Sequence, residues 1–254
     1  MRKNIFIYML ILLVCILPYN NVHASTELQI DRLIENEQKQ KEISKKINEL
    51  DLELKKEESE SIEVISISFL EEDMDLVEEK EYSLQENKKA LEKELENIMI
   101  DSIQIQKSIE KEKKEYLDKN NLSFIPGIWP LKSYYEISSA YGQRIHPITK
   151  KANFHRGIDI PAPKSTEILA SDDGIVEFSG SQNGYGNVVK IKHFDGKTTV
   201  YAHNSYNRVN KGDIVKKGQA IAEVGSTGNS TGNHVHFEIL LNGETTNPID
   251  GVIK

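Results

Sequence analysis

The sequence predicts a chain that is α+β by segment: an N-terminal helical coiled coil, then an all-β domain of antiparallel sheet. Three observations carry this. Residues 27–118 hold no Gly and no Pro, whereas all 15 Gly and six of the seven Pro fall within 119–254. Helix interiors exclude both residues and tight turns need them. An apolar 4-3 repeat runs through the first segment, the spacing of a coiled-coil seam. The second segment carries short alternating runs separated by Asp-Gly and Asn-Gly, the signals of β-hairpins. At 254 residues the chain has room for one or two domains with a buried core.

Residues 1–24 read as a secretory signal. Arg2 and Lys3 precede an apolar run from Ile5 to Leu17, Pro18 closes it, and Val22-His23-Ala24 offers a small-residue cleavage pattern before Ser25. The run of 13 residues is short of the about 20 that cross a bilayer. The expectation is export with cleavage after about Ala24, giving a secreted or cell-wall protein; a retained membrane anchor is the weaker alternative. Lipid attachment at Cys15 is weaker still, because Val14 is bulky and Cys15 lies inside the run. Cys15 is the single cysteine, so a disulfide framework and a cysteine-rich zinc site are both excluded.

Residues 25–118 are expected to form the arm. From 27 to 118 there are 28 acidic and 15 basic residues, a net of −13. The seam runs Leu70, Met74, Val77, Glu81, Leu84, Lys88, Leu91, Leu95, Ile98, Ser102, Ile105, Ile109, Glu112, Tyr116, and ten of these fourteen positions are apolar. An earlier stripe holds Leu33, Ile43, Ile47, Leu50 and Leu54, one residue out of register. Between them, 59–70 contains SIEVISISFL, which is β-branched and reads as an irregular link between two helices folded back on each other. Such an arm can space, dock to a partner or self-associate, or it can be a solvated helix pair and nothing more. Its charge argues against adhesion to an anionic wall or membrane. The whole-chain charge of −8 disfavours nucleic acid as a partner.

Residues 119–135, with Pro126-Gly127 and Trp129-Pro130, read as a linker, and 136–254 as the β domain. Charge changes sign here, to a net of +3 over 119–254. Residues 174–180 (GIVEFSG) alternate, 188–191 and 198–201 flank Asp195-Gly196, and 235–241 leads into Asn242-Gly243. Six of the seven histidines lie in this segment. His155 and Asp159 stand four apart, about 13 Å on a straight strand, with Gly157 between them to permit a bend. His203 follows a strand end. His234 and His236, at i and i+2, point to one face of a strand, so one ring can bind a metal and the other sit beside it. Two imidazoles and a carboxylate with an open position describe a catalytic rather than a structural zinc site, since no thiol is available to close a structural one; such ligands suit other transition metals as well, and four-coordinate chemistry favours zinc. His193 reads as an idle surface histidine and His146 as structural. Glu238 shares the face of His234 and His236 and either orients a histidine or simply ends the strand.

Four stretches carry a family resemblance: 141–147 (YGQRIHP), 153–160 (NFHRGIDI), Tyr201-Ala202-His203, and 224–238 (VGSTGNSTGNHVHFE). Over residues 139–239 the chain resembles the lysostaphin/LytM-type zinc endopeptidases. The resemblance implies cleavage of peptide bonds in peptidoglycan within an antiparallel β domain. It implies one Zn2+ per chain held by His155, Asp159 and His236, with His203 and His234 as the catalytic pair. Asn204 stands where the family often has Leu and Lys151 where Gly is common; neither touches the metal set. Zinc lowers the pKa of its water from 15.7 to about 7, so the expected nucleophile is zinc-bound hydroxide. Residues 225–232 (GSTGNSTG) read as one lip of the substrate groove; no Lys follows to make a phosphate loop. Two rivals come from other classes. One is a catalytically silent activator of another wall hydrolase, working through the arm, but such proteins lack the metal ligands that are all present here. The other is a lipoyl-like carrier module, which 212–224 resembles in half, but no lysine sits at a hairpin tip.

Overall fold

The structure is a computed structural model describing residues 2–67, 71–122, 124–125, 127–145 and 150–253, with side chains for these except 2–25, 58, 60–67, 71–78 and 253. The side chains of Cys15, Leu70, Met74 and Val77, and His146 as a whole, lie outside the described residues. Two helices open the chain, α1 (Arg2–Ile67) and α2 (Glu71–Asn120). The β-branched stretch through 67 continues α1 rather than forming a link of its own. Its propensity penalty is only some tenths of a kcal/mol per residue, and with no Gly or Pro among 59–67 the helix runs on to Ile67; the rest of the expected link, 68–70, lies outside the described residues.

Residues 31–106 form one compact unit. In it the two helices run antiparallel: Asn36 donates to Asp101 Oδ2 at 2.7 Å and to Ser102 Oγ at 3.2 Å, Lys88 pairs with Asp51 at 2.6 Å, and Lys80 pairs with Glu57. The two stripes face each other along this hairpin. Leu33, Ile43 and Ile105 are buried; Ile47, Leu50, Leu54, Leu84, Leu91, Leu95 and Ile98 are half-buried. The polar seam residues Glu81, Lys88 and Ser102 are half-buried too, because the 4-3 spacing and not residue type sets which face is covered.

The other unit comprises residues 1–30 and 107–254. Its strands are β1 (Gly127–Ile128), β2 (Gly142–Ile145), β3 (Ala152–His155), β4 (Ile158–Pro161), β5 (Glu167–Leu169), β6 (Gly174–Gln182), β7 (Gly186–His193), β8 (Thr198–Asn204), β9 (Tyr206–Asn207), β10 (Ile214–Val215), β11 (Ala220–Glu223), β12 (His234–Leu241), β13 (Glu244–Thr246) and β14 (Val252–Ile253). The main sheet runs β10-β6-β7-β8-β12-β13, with β4 also on β12. Smaller sheets are β5-β11-β9 and β2-β3, all antiparallel, and β1-β14 is the one parallel pair among the described strands. Both turn signals form hairpins: Asp195-Gly196 joins β7 to β8, and Asn242-Gly243 joins β12 to β13 with φ of 53° and 83°, as a type I′ turn requires.

One face of the main sheet builds the core, through Val189, Ile191, Tyr201, Val235, Phe237 and Ile239. Trp129 and Leu131, from the stretch read as a linker, are buried in the same core. α2 contributes as well. Lys113 is buried with Nζ 3.7 Å from Asp172 Oδ2 and 5.8 Å from the Phe194 ring centre. Asp172 also takes Lys197 Nζ at 2.6 Å, and Lys197 reaches Asp195 at 2.7 Å. His193 is no surface residue: it is buried, hydrogen-bonded to the Asp173 carbonyl at 3.0 Å and to Thr199 Oγ1 at 2.7 Å. Burial pushes its pKa down to about 4, so it is structural and neutral.

Candidate metal centre

The opposite face of the sheet carries the chemistry, and strand register places it. β12 is flanked by β4 and β8, with Asp159 directly opposite His236 on one side and Ala202 on the other. His155 ends β3, and the chain passes into β4 through Arg156 and Gly157. The chain does bend between His155 and Asp159, whose side chains approach to 3.2 Å, and the structure gives Gly157 a further reason to be glycine. A Cβ there would lie 2.3 Å from the Phe237 carbonyl oxygen and 2.9 Å from Glu238 Cγ. Only a residue without a side chain lets this connection lie against β12.

The fold thereby brings together the three residues that sequence spacing left far apart. His155 Nε2, Asp159 Oδ1 and His236 Nδ1 stand 3.0, 3.2 and 2.8 Å from one another. Their hydrogen-bond partners fix which atoms carry protons. His155 Nδ1 lies 2.9 Å from the Ala140 carbonyl, which can only accept, so it donates and Nε2 is bare. His236 Nε2 donates to Glu238 Oε1 at 2.9 Å, which leaves Nδ1 bare. Three lone pairs therefore converge with no donor between neutral rings, an arrangement that calls for a cation. Tetrahedral ligands at about 2.0–2.1 Å from an ion are about 3.3 Å apart, within a few tenths of what is seen. A proton can stand in. Burial pulls the His236 pKa down, but hydrogen bonds to Asp159 and Glu238 outweigh it and hold it up at about 9. Burial opposes ionisation of Asp159, yet with such a proton held between the rings and the carboxylate, hydrogen bonds from His155 and His236 keep its carboxyl well below the usual range.

The surrounding residues orient this cluster. Arg144 donates to Asp159 Oδ2 at 3.0 Å, which leaves Oδ1 facing the histidines. Glu238 orients His236 rather than merely ending the strand, and Tyr185 donates to the same carboxylate oxygen at 2.8 Å. Neither the Arg144 clamp nor Tyr185 is assigned a role by the sequence reading. Arg144 sits within a motif stretch, so its charge was the available signal; Tyr185, in a Gly-Tyr-Gly turn, offered none.

His203 and His234 complete the site, with ring centres 4.8 Å apart. His203 Nδ1 donates to the Thr227 carbonyl and His234 Nδ1 to the Gly232 carbonyl, each at 2.8 Å, so both Nε2 atoms are bare. His234 Nε2 is 3.6 Å from Asp159 Oδ1. Burial pushes the His203 pKa down to about 4. His203 has φ of 64°, a left-handed conformation unusual for a non-glycine residue and of the kind found at functional sites. The 225–232 loop is a lip of the groove, as expected, and it is tethered: Asn229 N donates to the Gly184 carbonyl at 2.8 Å, and Asn187 N to Thr227 Oγ1 at 2.9 Å. The groove above the five residues has a volume of about 260 Å³.

Residues 153–248 match peptidase family M23. The chain carries an M23 peptidase domain. DD-carboxypeptidase/endopeptidase Mpg of Neisseria meningitidis is 47% identical over 116 residues, covering 46% of this chain and 27% of that protein. Peptidoglycan DD-endopeptidase ShyC of Vibrio cholerae is 41% identical, covering 45% of this chain and 27% of that protein. The chain thus spans about a quarter of the length of these curated relatives. The catalytic domain of lysostaphin from Staphylococcus simulans is 32% identical, covering 46% of this chain and 90% of that one, with a TM-score of 0.43. The three residues that could hold a metal ion, His155, Asp159 and His236, lie within the matched segment.

Proposed function

We propose that this chain is an exported zinc endopeptidase that hydrolyses peptide bonds in peptidoglycan stem peptides or cross-bridges. The observation that carries the reading is the convergence of three bare lone pairs at the floor of a groove, with two more bare imidazole nitrogens beside them. His155, Asp159 and His236 are then the ligands of one zinc ion, and two imidazoles with one carboxylate leave a position open for catalysis. When bound, zinc supplies Lewis acidity, activating water at neutral pH and polarising a carbonyl. The chain's own residues do the rest. Arg144 and Glu238 fix the orientation of Asp159 and the tautomer of His236. His203 and His234 hold their Nε2 atoms toward the groove. One accepts a proton from the attacking water at its bare Nε2; once protonated it can donate to the developing oxyanion and then deliver that same proton to the leaving amine, while the other stands beside it to accept a hydrogen bond from water or substrate. The names of the relatives support peptidoglycan as the substrate.

The test is digestion of purified peptidoglycan by the full-length zinc-loaded chain, read by mass spectrometry of the muropeptides. Cross-linked species should be lost, chelator should stop the loss, and zinc should restore it. An unchanged muropeptide profile with zinc bound overturns the proposal.

A further inference from the structure

A second groove, of about 760 Å³, continues from the catalytic one along the same face of the sheet and shares Arg156, Tyr185 and Glu238 with it. Its floor is set by register. Lys190 pairs with Val200 and Val200 with Glu238, so these three side chains form one row across β7, β8 and β12. Lys192, Thr198 and Leu240 form the next row, farther from the metal centre. Two interstrand spacings put Lys190 about 10 Å from Glu238 and about 12 Å from His236 by Cα, a span of three to four extended residues.

Lys190 is half-buried, its Nζ 5.9 Å from the ring centres of both Phe178 and Tyr185. Those rings hold the ammonium in the groove. Among the described residues, no carboxylate stands within ion-pair distance of Lys190 or Lys192. The acids of this groove do not cancel them: Glu238 is committed to His236 and Tyr185, while Glu177 and Glu244 are exposed. Two ammonium groups without an ion-pair partner among the described residues, one in each of two successive rows, with the Arg156 guanidinium lining the same groove, are complementary to an anion and not to a neutral chain.

We propose that Lys190 and Lys192 form a subsite for a free carboxylate on the peptide substrate, three to four residues from the bond cleaved. The inference rests on the peptidase reading and adds what that reading leaves open, a preference for acidic over amidated peptides.

The probes are a stem-peptide dimer from peptidoglycan and the same dimer with its carboxylates amidated. Each is titrated calorimetrically into the full-length zinc-loaded chain carrying His234→Ala, so that it is not consumed, and is separately offered to the wild type for cleavage. The carboxylated dimer should bind about five- to tenfold more tightly, as partly exposed ion pairs allow. Lys190→Gln with Lys192→Gln should remove that preference and leave both zinc content and the affinity for the amidated dimer unchanged. Equal binding of the two dimers, or a preference that survives the double substitution, overturns the subsite. Preferential binding without cleavage by the wild type upholds the subsite and overturns the hydrolytic reading instead.

Discussion

Gly157→Ala should cost the protein its metal without touching a ligand. The added Cβ would lie 2.3 Å from the Phe237 carbonyl oxygen, a backbone atom in the middle of β12 that has nowhere to go. An ordinary contact needs about 3.3 Å, so the connection between β3 and β4 must retreat by about 1 Å. His155 lies two residues before Gly157 and Asp159 two residues after, so both ligand atoms move relative to His236. Their present separations are 2.8 to 3.2 Å. A metal site tolerates about 0.2 Å in each bond. A shift several times that size should weaken zinc binding at least as much as loss of an orienting partner does, by about 10–100-fold. Overpacking should also cost about 1–3 kcal/mol of stability. The assay is competition for zinc against a chromophoric chelator, alongside thermal melting. The control is Gly180→Ala, whose Cβ would meet only the Phe178 ring at 3.4 Å. A Gly157→Ala protein that binds zinc as the wild type does would refute the account of why this glycine is needed.

Alanine at His155, Asp159 or His236 should abolish both zinc content and peptidoglycan cleavage, whereas alanine at His203 or His234 should abolish cleavage with zinc retained, as atomic absorption of the purified variants will tell. His193 makes acid unfolding steeper. Its pKa of about 4 in the fold lies below the 6.5 of a free histidine, so the unfolded chain gains a proton first as pH falls; stability is lost between about pH 6.5 and 4, by about 3 kcal/mol, and His193→Gln should flatten urea midpoints across that window. Lys113→Ala should destabilise the M23 domain by about 2 kcal/mol, less than a fully broken buried pair because Lys197 still holds Asp172, and a melting temperature unchanged from wild type would show that α2 adds nothing there.

The site was legible because its members are rare residue types at unusual spacings. A pair two apart on a strand must share a face, which fixes His234 and His236 in one groove from the sequence alone. What spacing could not give is the position of Asp159 opposite His236, since that depends on which strand pairs with β12 and in what register. Nor could it give the hydrogen bonds from His155 to Ala140 and from His236 to Glu238 that decide which nitrogens are left bare toward Asp159. The seam of the arm was legible for the opposite reason: its contacts are periodic, so the pattern survives Glu81, Lys88 and Ser102 at apolar positions.

The boundary between helix and β domain was the least legible part, and Lys113 explains why. Within 107–120 the sequence continues the charged arm without a break in composition, and Lys113 looks like any solvated lysine of that run. In the fold it is buried, because Asp172, 59 residues later, sits in the β domain with more negative surroundings than Lys197 alone faces: Asp195 approaches the same ammonium. Two lysines then face Asp172 and Asp195, whereas Lys197 alone would face both carboxylates and leave buried negative charge less compensated, which is costly at low dielectric. Lys113 thus neutralises a charge that belongs to the β domain, and the Phe194 ring gives its ammonium a further contact. The last turns of α2 therefore supply a cation to the interior of the M23 domain, and a chain that began after 118 would lack it.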